Sequence, residues 1–300
     1  MSRVADYCRL FRPFVALMSG GASAAGYLAG GGGNILACTA VFAAVASLAG
    51  GAAAFNQCQE VSTDRLMNRT KNRPLPAGRI SVRSALLLSG AAIMTGLLLL
   101  LAEGSSVTVL LGLTALVWYN GIYTNLKRKT AFAAMFGSLS GALIPLIGWS
   151  AANADLAAPR IWALALFLII WQMPHYGLLV LKFGDDYAKA GFPTFLDVWG
   201  EKRLIRLVSI WLCTVAVGGL AVGLYGTAET AASGYSLLII SVLLIIQAWR
   251  LLASHGRSYK TAFGVLHCYL GVLLFFASLA ATEIPGRVYQ LAGHLLHGYF

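Results

Sequence analysis

Long apolar runs without charge alternate along the chain with shorter segments that carry most of its charged side chains. A helix needs about 20 apolar residues to cross the hydrocarbon of a bilayer. Nine runs approach that length, at residues 13–30, 35–55, 83–102, 106–123, 131–151, 160–181, 204–224, 234–250 and 262–281. The pattern predicts an all-α polytopic membrane protein with nine transmembrane helices in one bundle. We expect a single integral-membrane domain over residues 1–300, of which 282–300 form a short C-terminal tail.

The composition also favours a membrane protein. Hydrophobic residues make up 58% of the 300 positions and charged residues 11%, whereas charged residues make up about a quarter of a soluble domain. In a soluble chain the net charge of +11 would suggest a nucleic-acid partner. Beside nine apolar runs we expect the lipid bilayer as the partner and no nucleic acid. The five cysteines lack metal-ligand spacing, so neither a zinc site nor a disulfide framework is predicted.

The basic residues predict the orientation of the helices. If the N-terminus is cytoplasmic, all of the 22 Lys and Arg residues except Arg160 and Arg287 lie in cytoplasmic segments. Cytoplasmic loops of membrane proteins carry an excess of Lys and Arg. We therefore expect a multi-pass protein of the cell inner membrane. Its N-terminus and the mouth of a central cavity should face the cytoplasm, and its C-terminus should lie outside.

The segment after the second run is the first candidate site. Asn56, Glu60 and Asp64 are four residues apart, so a continuing helix would place them on one face. Two stacked carboxylates repel unless a cation lies between them, and Mg²⁺ binds such oxygens together with substrate phosphates. Three basic residues suited to binding phosphate follow, namely Arg69, Lys71 and Arg73. The segment predicts either a diphosphate–Mg²⁺ site or a charged loop that only sets the topology.

Two later cytoplasmic segments carry further candidates. Tyr123, Lys127 and Arg128 lie at the end of the fourth run. Pro174 should kink the sixth run, and His175 beside it is a titratable side chain near membrane depth. Acids again lie among bases after this run, at Lys182, Asp185, Asp186 and Lys189. The two acidic segments are expected to face one shared cavity.

The remaining histidines give weaker signals. His255 lies in a cytoplasmic loop, His267 in the ninth run, and His294 and His297 in the tail. Two histidines without a third ligand are a weak indication of a metal site. The tail is better interpreted as an interfacial helix.

Five motifs occur in order between residues 56 and 193. They read Asn56-xxx-Glu60-xxx-Asp64-xx-Met67-x-Arg69-Thr70-xx-Arg73-Pro74-Leu75-Pro76, Tyr123-Thr-x-Leu-Lys-Arg-x-Thr130, Gly141-Ala-Leu-Ile-Pro-Leu-Ile-Gly-Trp149, Trp171-Gln-Met-Pro-His-Tyr176 and Asp185-Asp-Tyr-Ala-Lys-Ala-Gly-Phe-Pro193. Together they resemble the UbiA-type intramembrane prenyltransferase superfamily, and in particular its protoheme IX farnesyltransferase (haem O synthase) branch. The chain departs from the family pattern at Glu60, where Asp is common, and at Tyr176, where Phe is common. The second motif of the family is typically a pair of Asp four residues apart, whereas here Lys182 and Lys189 occupy the positions four residues from Asp186 and Asp185.

The resemblance implies transfer of the farnesyl group of farnesyl diphosphate to a vinyl group of haem B, with addition of water, to give haem O. The catalytic residues it implies are Asn56, Glu60, Asp64, Tyr123 and Asp186. The implied diphosphate-binding residues are Arg69, Lys71, Arg73, Lys127, Arg128, Lys182 and Lys189. The resemblance implies Mg²⁺ as cofactor, with Glu60, Asp64, Asp185 and Asp186 as its ligands, and His175 as the haem-binding residue. It further implies contact with haem A synthase or with terminal-oxidase assembly.

Two other functions stay open at this stage. A prenyltransferase acting on a quinone precursor or a chlorophyll-type acceptor would share the acidic motifs. An alternating-access transporter would also be built from helices rich in small residues, but it should carry polar residues in both leaflets. Here the charged residues concentrate at the cytoplasmic mouth, as expected for a reaction site supplied from the cytosol.

Overall fold

The computed structural model describes residues 3–223 and 231–279, and the regular secondary structure of these residues is helical throughout. The helices are α1 (Arg3–Leu10), α2 (Pro13–Ala29), α3 (Ile35–Gln59), α4 (Val61–Asp64), α5 (Val82–Glu103), α6 (Ser106–Val117), α7 (Thr124–Leu126), α8 (Ala133–Ala151), α9 (Pro159–Lys189), α10 (Phe195–Val222), α11 (Ala231–Ala253) and α12 (Tyr259–Leu279). A π-helical segment, Trp118–Tyr123, joins α6 to α7. The predicted tail with His294 and His297 lies outside the described residues.

The all-α membrane architecture predicted from the sequence is confirmed. Eight helices in the described part of the chain are long and apolar enough to cross a bilayer, with α6, the π segment and α7 counted as one. Helix α2, at 17 residues, coincides with the first predicted run. Each of the nine predicted runs therefore has its helix among the described residues.

Several helix starts are fixed by side-chain caps. The Asn34 side chain accepts hydrogen bonds from two backbone N–H groups at the start of α3. The Ser81 side chain accepts a hydrogen bond from one backbone N–H group at the start of α5. Capping boxes formed by Ser105 and Thr194 begin α6 and α10. Because such caps satisfy the first free N–H groups of a helix, the polar residues between the apolar runs determine where the helices begin.

Glycine allows α2 and α8 to approach closely. A Cβ atom on Gly148 would overlap the carbonyl oxygen of Ser23, and one on Gly26 would overlap the carbonyl oxygen of Pro145. Small residues at helix crossings let backbones pack directly within a membrane bundle. This crossing brings α8, which lines both cavities described below, against α2.

Many large apolar side chains are exposed on the surface of the bundle, and a set of polar side chains is buried inside it. Leu87, Ile239 and Trp249 are at least 62% exposed, as suits a surface that faces lipid. The largest buried cluster packs α9, α10 and α12 together around Phe167 and Tyr269. The carboxylates of Glu60, Asp64 and Asp186 are buried where the segment after α3, helix α7 and the C-terminal end of α9 meet.

Candidate functional site

The first acidic segment lies at the end of α3 and faces a polar cavity of about 230 Å³. The helix continues past the apolar run to Gln59, breaks at Glu60, and resumes as α4, which ends at Asp64. Asn56, Glu60 and Asp64 are buried, at 4%, 4% and 1% exposure, and all three line the cavity. The four-residue spacing thus places the three side chains around one space, although the helix itself is interrupted.

Both carboxylates are paired with cations that come from other segments. Lys127 Nζ lies 2.7 Å from Glu60 Oε2, and Arg73 Nη1 lies 2.8 Å from Asp64 Oδ2. Burial lowers the pKa of the Arg73 guanidinium, and the Asp64 carboxylate opposes that shift. Because arginine stays protonated in proteins, Arg73 remains a cation at the cavity wall.

The π-helical segment fixes the aromatic wall of the polar cavity. Tyr119 and Tyr123 both line the cavity, and their rings stack with centroids 5.7 Å apart. The Asn120 amide donates to the Ala52 carbonyl at 3.0 Å, which ties the segment to α3. The Asn56 amide donates to Thr124 Oγ1 at 2.9 Å. Single π-turns within α-helices are frequent at functional sites, and here the turn holds two tyrosines beside the acidic segment.

A side chain of the second acidic segment contacts the backbone of the first. Asp186 Oδ2 accepts a hydrogen bond from the backbone N–H of Arg69 at 2.9 Å. The Arg69 guanidinium lies over the rings of Phe183 and Tyr187, 4.9 and 5.2 Å from their centroids. Asp186 therefore positions the loop that carries Arg69, and Arg69 itself lines the polar cavity.

The structure divides the predicted site residues into two groups. The polar cavity is lined by Asn56, Glu60, Asp64, Arg69, Arg73, Tyr123, Lys127 and His175. The residues outside its lining are Lys71, Arg128, Lys182, Asp185, Asp186 and Lys189. Of this second group only Asp186 is buried. Lys71 donates to the side chain of Asn68 and Arg128 to the carbonyl of Gln59.

The cavity suits a divalent cation together with a phosphorylated substrate. Among the described residues no three His, Cys, Asp or Glu side chains form a cluster that could hold a metal ion alone. Glu60 Oε1, however, is buried without a hydrogen-bond partner in the described part of the chain, and the Asp64 carboxylate lines the same cavity. Mg²⁺ commonly takes one or two carboxylates and completes its shell with water and phosphate oxygens. The residues present fit such a site.

A second cavity, of about 330 Å³, adjoins the polar one. Its lining is mainly apolar and comes from α2, α3, α6, α8, α9 and α12. Four residues line both cavities, namely Tyr119, Ser140, Gln172 and His175. A Cβ atom on Gly141 would overlap Gln172 Nε2, so the glycine makes room for this amide at the junction. The two cavities thus form a charged compartment beside an apolar one.

Several residues at the site were not singled out from the sequence. Arg12 lines the polar cavity from a left-handed turn, with φ of 47°, between α1 and α2. That turn is held against α3 by a hydrogen bond of 2.6 Å from the Gln57 amide to the Leu10 carbonyl. Tyr187 and Gln172 also line the polar cavity. In the sequence Arg12 stands out only by its positive charge, and the positive-inside orientation of the helices already explains that charge.

Comparison with known proteins identifies the family of the chain. The UbiA prenyltransferase family model matches residues 16–282. A protoheme IX farnesyltransferase from Geobacter sulfurreducens is 42% identical over 217 residues, 72% of this chain and 80% of that protein. A protoheme IX farnesyltransferase from Nitratidesulfovibrio vulgaris is 31% identical over 273 residues, 90% of this chain and 94% of that protein.

A solved structure shares the fold. The structure of a UbiA homolog from Archaeoglobus fulgidus bound to GPP and Mg²⁺ superimposes with a TM-score of 0.67 at 18% identity, covering 92% of this chain and 99% of that one. The resemblance inferred from the five motifs is confirmed by the family match, which extends over most of the chain. The chain belongs to the UbiA prenyltransferase family.

Proposed function

We propose that the protein transfers the farnesyl group of farnesyl diphosphate to a vinyl group of haem B, with addition of water, giving haem O and diphosphate. The observation that carries this proposal is the junction of a charged cavity with an apolar one. An allylic diphosphate has a charged diphosphate end that suits the polar cavity and an apolar prenyl end that suits the apolar cavity. The relatives that bear the name protoheme IX farnesyltransferase support haem as the acceptor.

The polar cavity supplies groups that favour departure of the diphosphate. Heterolysis of the allylic C–O bond leaves the electron pair on diphosphate oxygen, so negative charge grows at the leaving group. Arg69, Arg73 and Lys127 line the cavity, and Arg73 and Lys127 are already held in place by carboxylates. Cations fixed in advance where charge develops stabilise a transition state at little reorganisation cost.

Glu60 and Asp64 are the proposed ligands of Mg²⁺. Bound Mg²⁺ would supply positive charge to neutralise the diphosphate. The unpartnered Glu60 Oε1 supports this role. Asn56, whose amide donates a hydrogen bond to Thr124, is proposed to orient one of these carboxylates.

The apolar cavity is the proposed site of the farnesyl chain and its acceptor. Tyr119 and Tyr123 stand at the edge of the charged compartment, where an aromatic face attracts an allylic cation as it forms. Exclusion of bulk water protects such a cation from premature hydrolysis. His175, at the junction of the two cavities, is proposed to contact the bound haem.

The charged residues outside the cavity are proposed to act from a distance. Lys71, Arg128, Lys182 and Lys189 are exposed. Exposed cations near the mouth of a site attract an anionic substrate and raise its rate of association. Asp185 is also exposed, and Asp186 accepts a hydrogen bond from the backbone N–H of Arg69. We therefore propose a metal site at the first acidic segment and a positioning role for Asp186.

We also propose an orientation and a location for this multi-pass membrane protein. The distribution of Lys and Arg supports a polar cavity that opens to the cytoplasm, and the family resemblance supports the inner membrane as the location. Delivery of the product to haem A synthase or to terminal-oxidase assembly belongs to the same proposal and is supported by the family resemblance alone.

One incubation tests the proposed function. Membranes containing the protein are supplied with haem B, farnesyl diphosphate and Mg²⁺, and the extracted haems are analysed by mass spectrometry. We expect haem O from the wild type and at least about 100-fold less from Asp64→Asn. Prenylation of a quinone precursor without formation of haem O would identify a different acceptor. Movement of a solute across the membrane without a prenylated product would favour a transporter.

A further inference from the structure

Two histidine side chains from different helices meet at the apolar cavity. His175 on α9 and His267 on α12 both line the cavity, and their ring centroids are 5.1 Å apart. Trp171 stacks on His175 at 5.0 Å, and the Phe263 ring lies 4.2 Å from the His267 ring. Two imidazoles thus pack among aromatic rings at the wall of the compartment proposed for the acceptor.

The hydrogen bonding of His267 is that of a prepared metal ligand. His267 Nδ1 lies 2.7 Å from the carbonyl oxygen of Phe263, one helical turn earlier. A carbonyl oxygen only accepts, so Nδ1 donates its proton and the neutral ring carries its lone pair on Nε2. Histidines that ligate metals usually donate their other ring N–H to a carbonyl or carboxylate in this way, which fixes both tautomer and orientation.

His175 lacks this arrangement. Its Nδ1 is buried without a hydrogen-bond partner among the described residues, so no hydrogen bond there selects its tautomer. The two rings contact one another directly, which leaves no room for a porphyrin between them. They therefore cannot bind the iron of one haem from opposite faces.

We propose that His267, through Nε2, is the axial ligand of the haem iron, and that His175 is a positioning residue beside it. This inference rests on the proposed function and assigns the acceptor within it. His267 lines the apolar cavity, whereas His175 lines both cavities. Iron bound at His267 would leave the junction of the two cavities for the farnesyl chain.

Haem titration of the full-length protein in lipid nanodiscs tests the assignment. Absorption spectra are recorded with ferric haem B for the wild type, His267→Ala and the matched variant His175→Ala. We expect a histidine-ligated Soret band from the wild type. His267→Ala should lose this band and bind haem at least about tenfold more weakly, and added imidazole should restore the band. His175→Ala should keep the band even where its affinity falls.

The outcomes separate this inference from the function on which it rests. His267→Ala with the wild-type band and affinity would overturn the assignment, as would rescue by imidazole in His175→Ala alone. A wild-type protein that binds no haem would contradict the proposed function instead. Binding of farnesyl diphosphate by each variant controls for folding. If His267→Ala fails that control, His267→Gln, which keeps more of the side-chain volume, takes its place in the same titration.

Discussion

The two acidic segments are alike in sequence and different in structure. Each places acids among bases at the end of an apolar run. In the first, Glu60 and Asp64 are buried at the wall of a cavity and paired with cations. In the second, Asp185 is exposed, and Asp186 accepts a hydrogen bond from a backbone N–H of the first segment. The first segment builds the site and the second supports it.

The path of the backbone explains this difference. Helix α3 carries its acids onward into the end of the bundle, with a break only at Glu60. Helix α9 is kinked at Phe183, with φ of −125°, before its acids are reached. Beyond the kink lie Asp185, Asp186 and Lys189, and of these only Asp186 is buried. Charge spacing alone therefore does not distinguish a binding segment from a supporting one.

Removal of the metal should have the largest effect. Because diphosphate departure is proposed to depend on Mg²⁺ held at the first segment, thorough chelation is expected to abolish product formation. Added Mg²⁺ should restore it. The assay is haem O formation in membranes, with Na⁺ added at matched ionic strength as the control. Unchanged turnover after chelation would contradict the proposed role of Mg²⁺ in the reaction.

Asp64→Asn should have the next largest effect. The change removes a proposed metal ligand and the partner of Arg73, so we expect activity to fall by at least about 100-fold. Asp185→Asn is the matched control, since it removes a carboxylate from the exposed part of the second segment. Equal losses in the two variants would break the comparison between the segments.

Asp186→Ala should have an intermediate effect. The Arg69 amide would lose its acceptor, and the loop would hold Arg69 less well at the cavity. Loss of an outer-shell partner typically costs about tenfold, and we expect the effect mainly as a raised KM for farnesyl diphosphate. Steady-state kinetics at fixed haem concentration measure it. A fall in kcat alone would indicate direct participation of Asp186 in the chemistry.

Lys189→Gln should have the smallest effect. The side chain is exposed and lies outside the cavity lining, and exposed charges contribute little because solvent screens them. We expect activity to change by less than about twofold at physiological salt, with a larger difference at low salt. Lys127→Gln, which removes the partner of Glu60, is the contrasting variant. Comparable losses in both would place the second segment within the site.

Much of the fold could be predicted because membrane helices follow from apolar length. The nine runs correspond to helices in the described residues, but the helix ends differ. Helix α9 extends to Lys189 and α10 begins at Phe195, beyond the apolar runs, because caps and local packing continue a helix into polar sequence. The π-helical turn at Trp118–Tyr123 left no signal in the hydropathy.

The candidate site could be predicted only as far as local spacing reaches. Asn56, Glu60 and Asp64 follow a helical repeat, so their shared cavity was expected. The pair of Glu60 and Lys127 joins residues 67 positions apart, and spacing does not specify such contacts. Arg12 reaches the cavity through a left-handed turn, which tertiary contacts hold in place.

The central claim is that diphosphate leaves from the cavity built by the first acidic segment as farnesyl is joined to haem. The most direct test measures released diphosphate and newly formed haem O in the same incubation with Mg²⁺. We expect the two products in a one-to-one ratio from the wild type, and at least about 100-fold less of both from Asp64→Asn. Diphosphate released without haem O, or haem O formed at the wild-type rate by Asp64→Asn, would contradict the account.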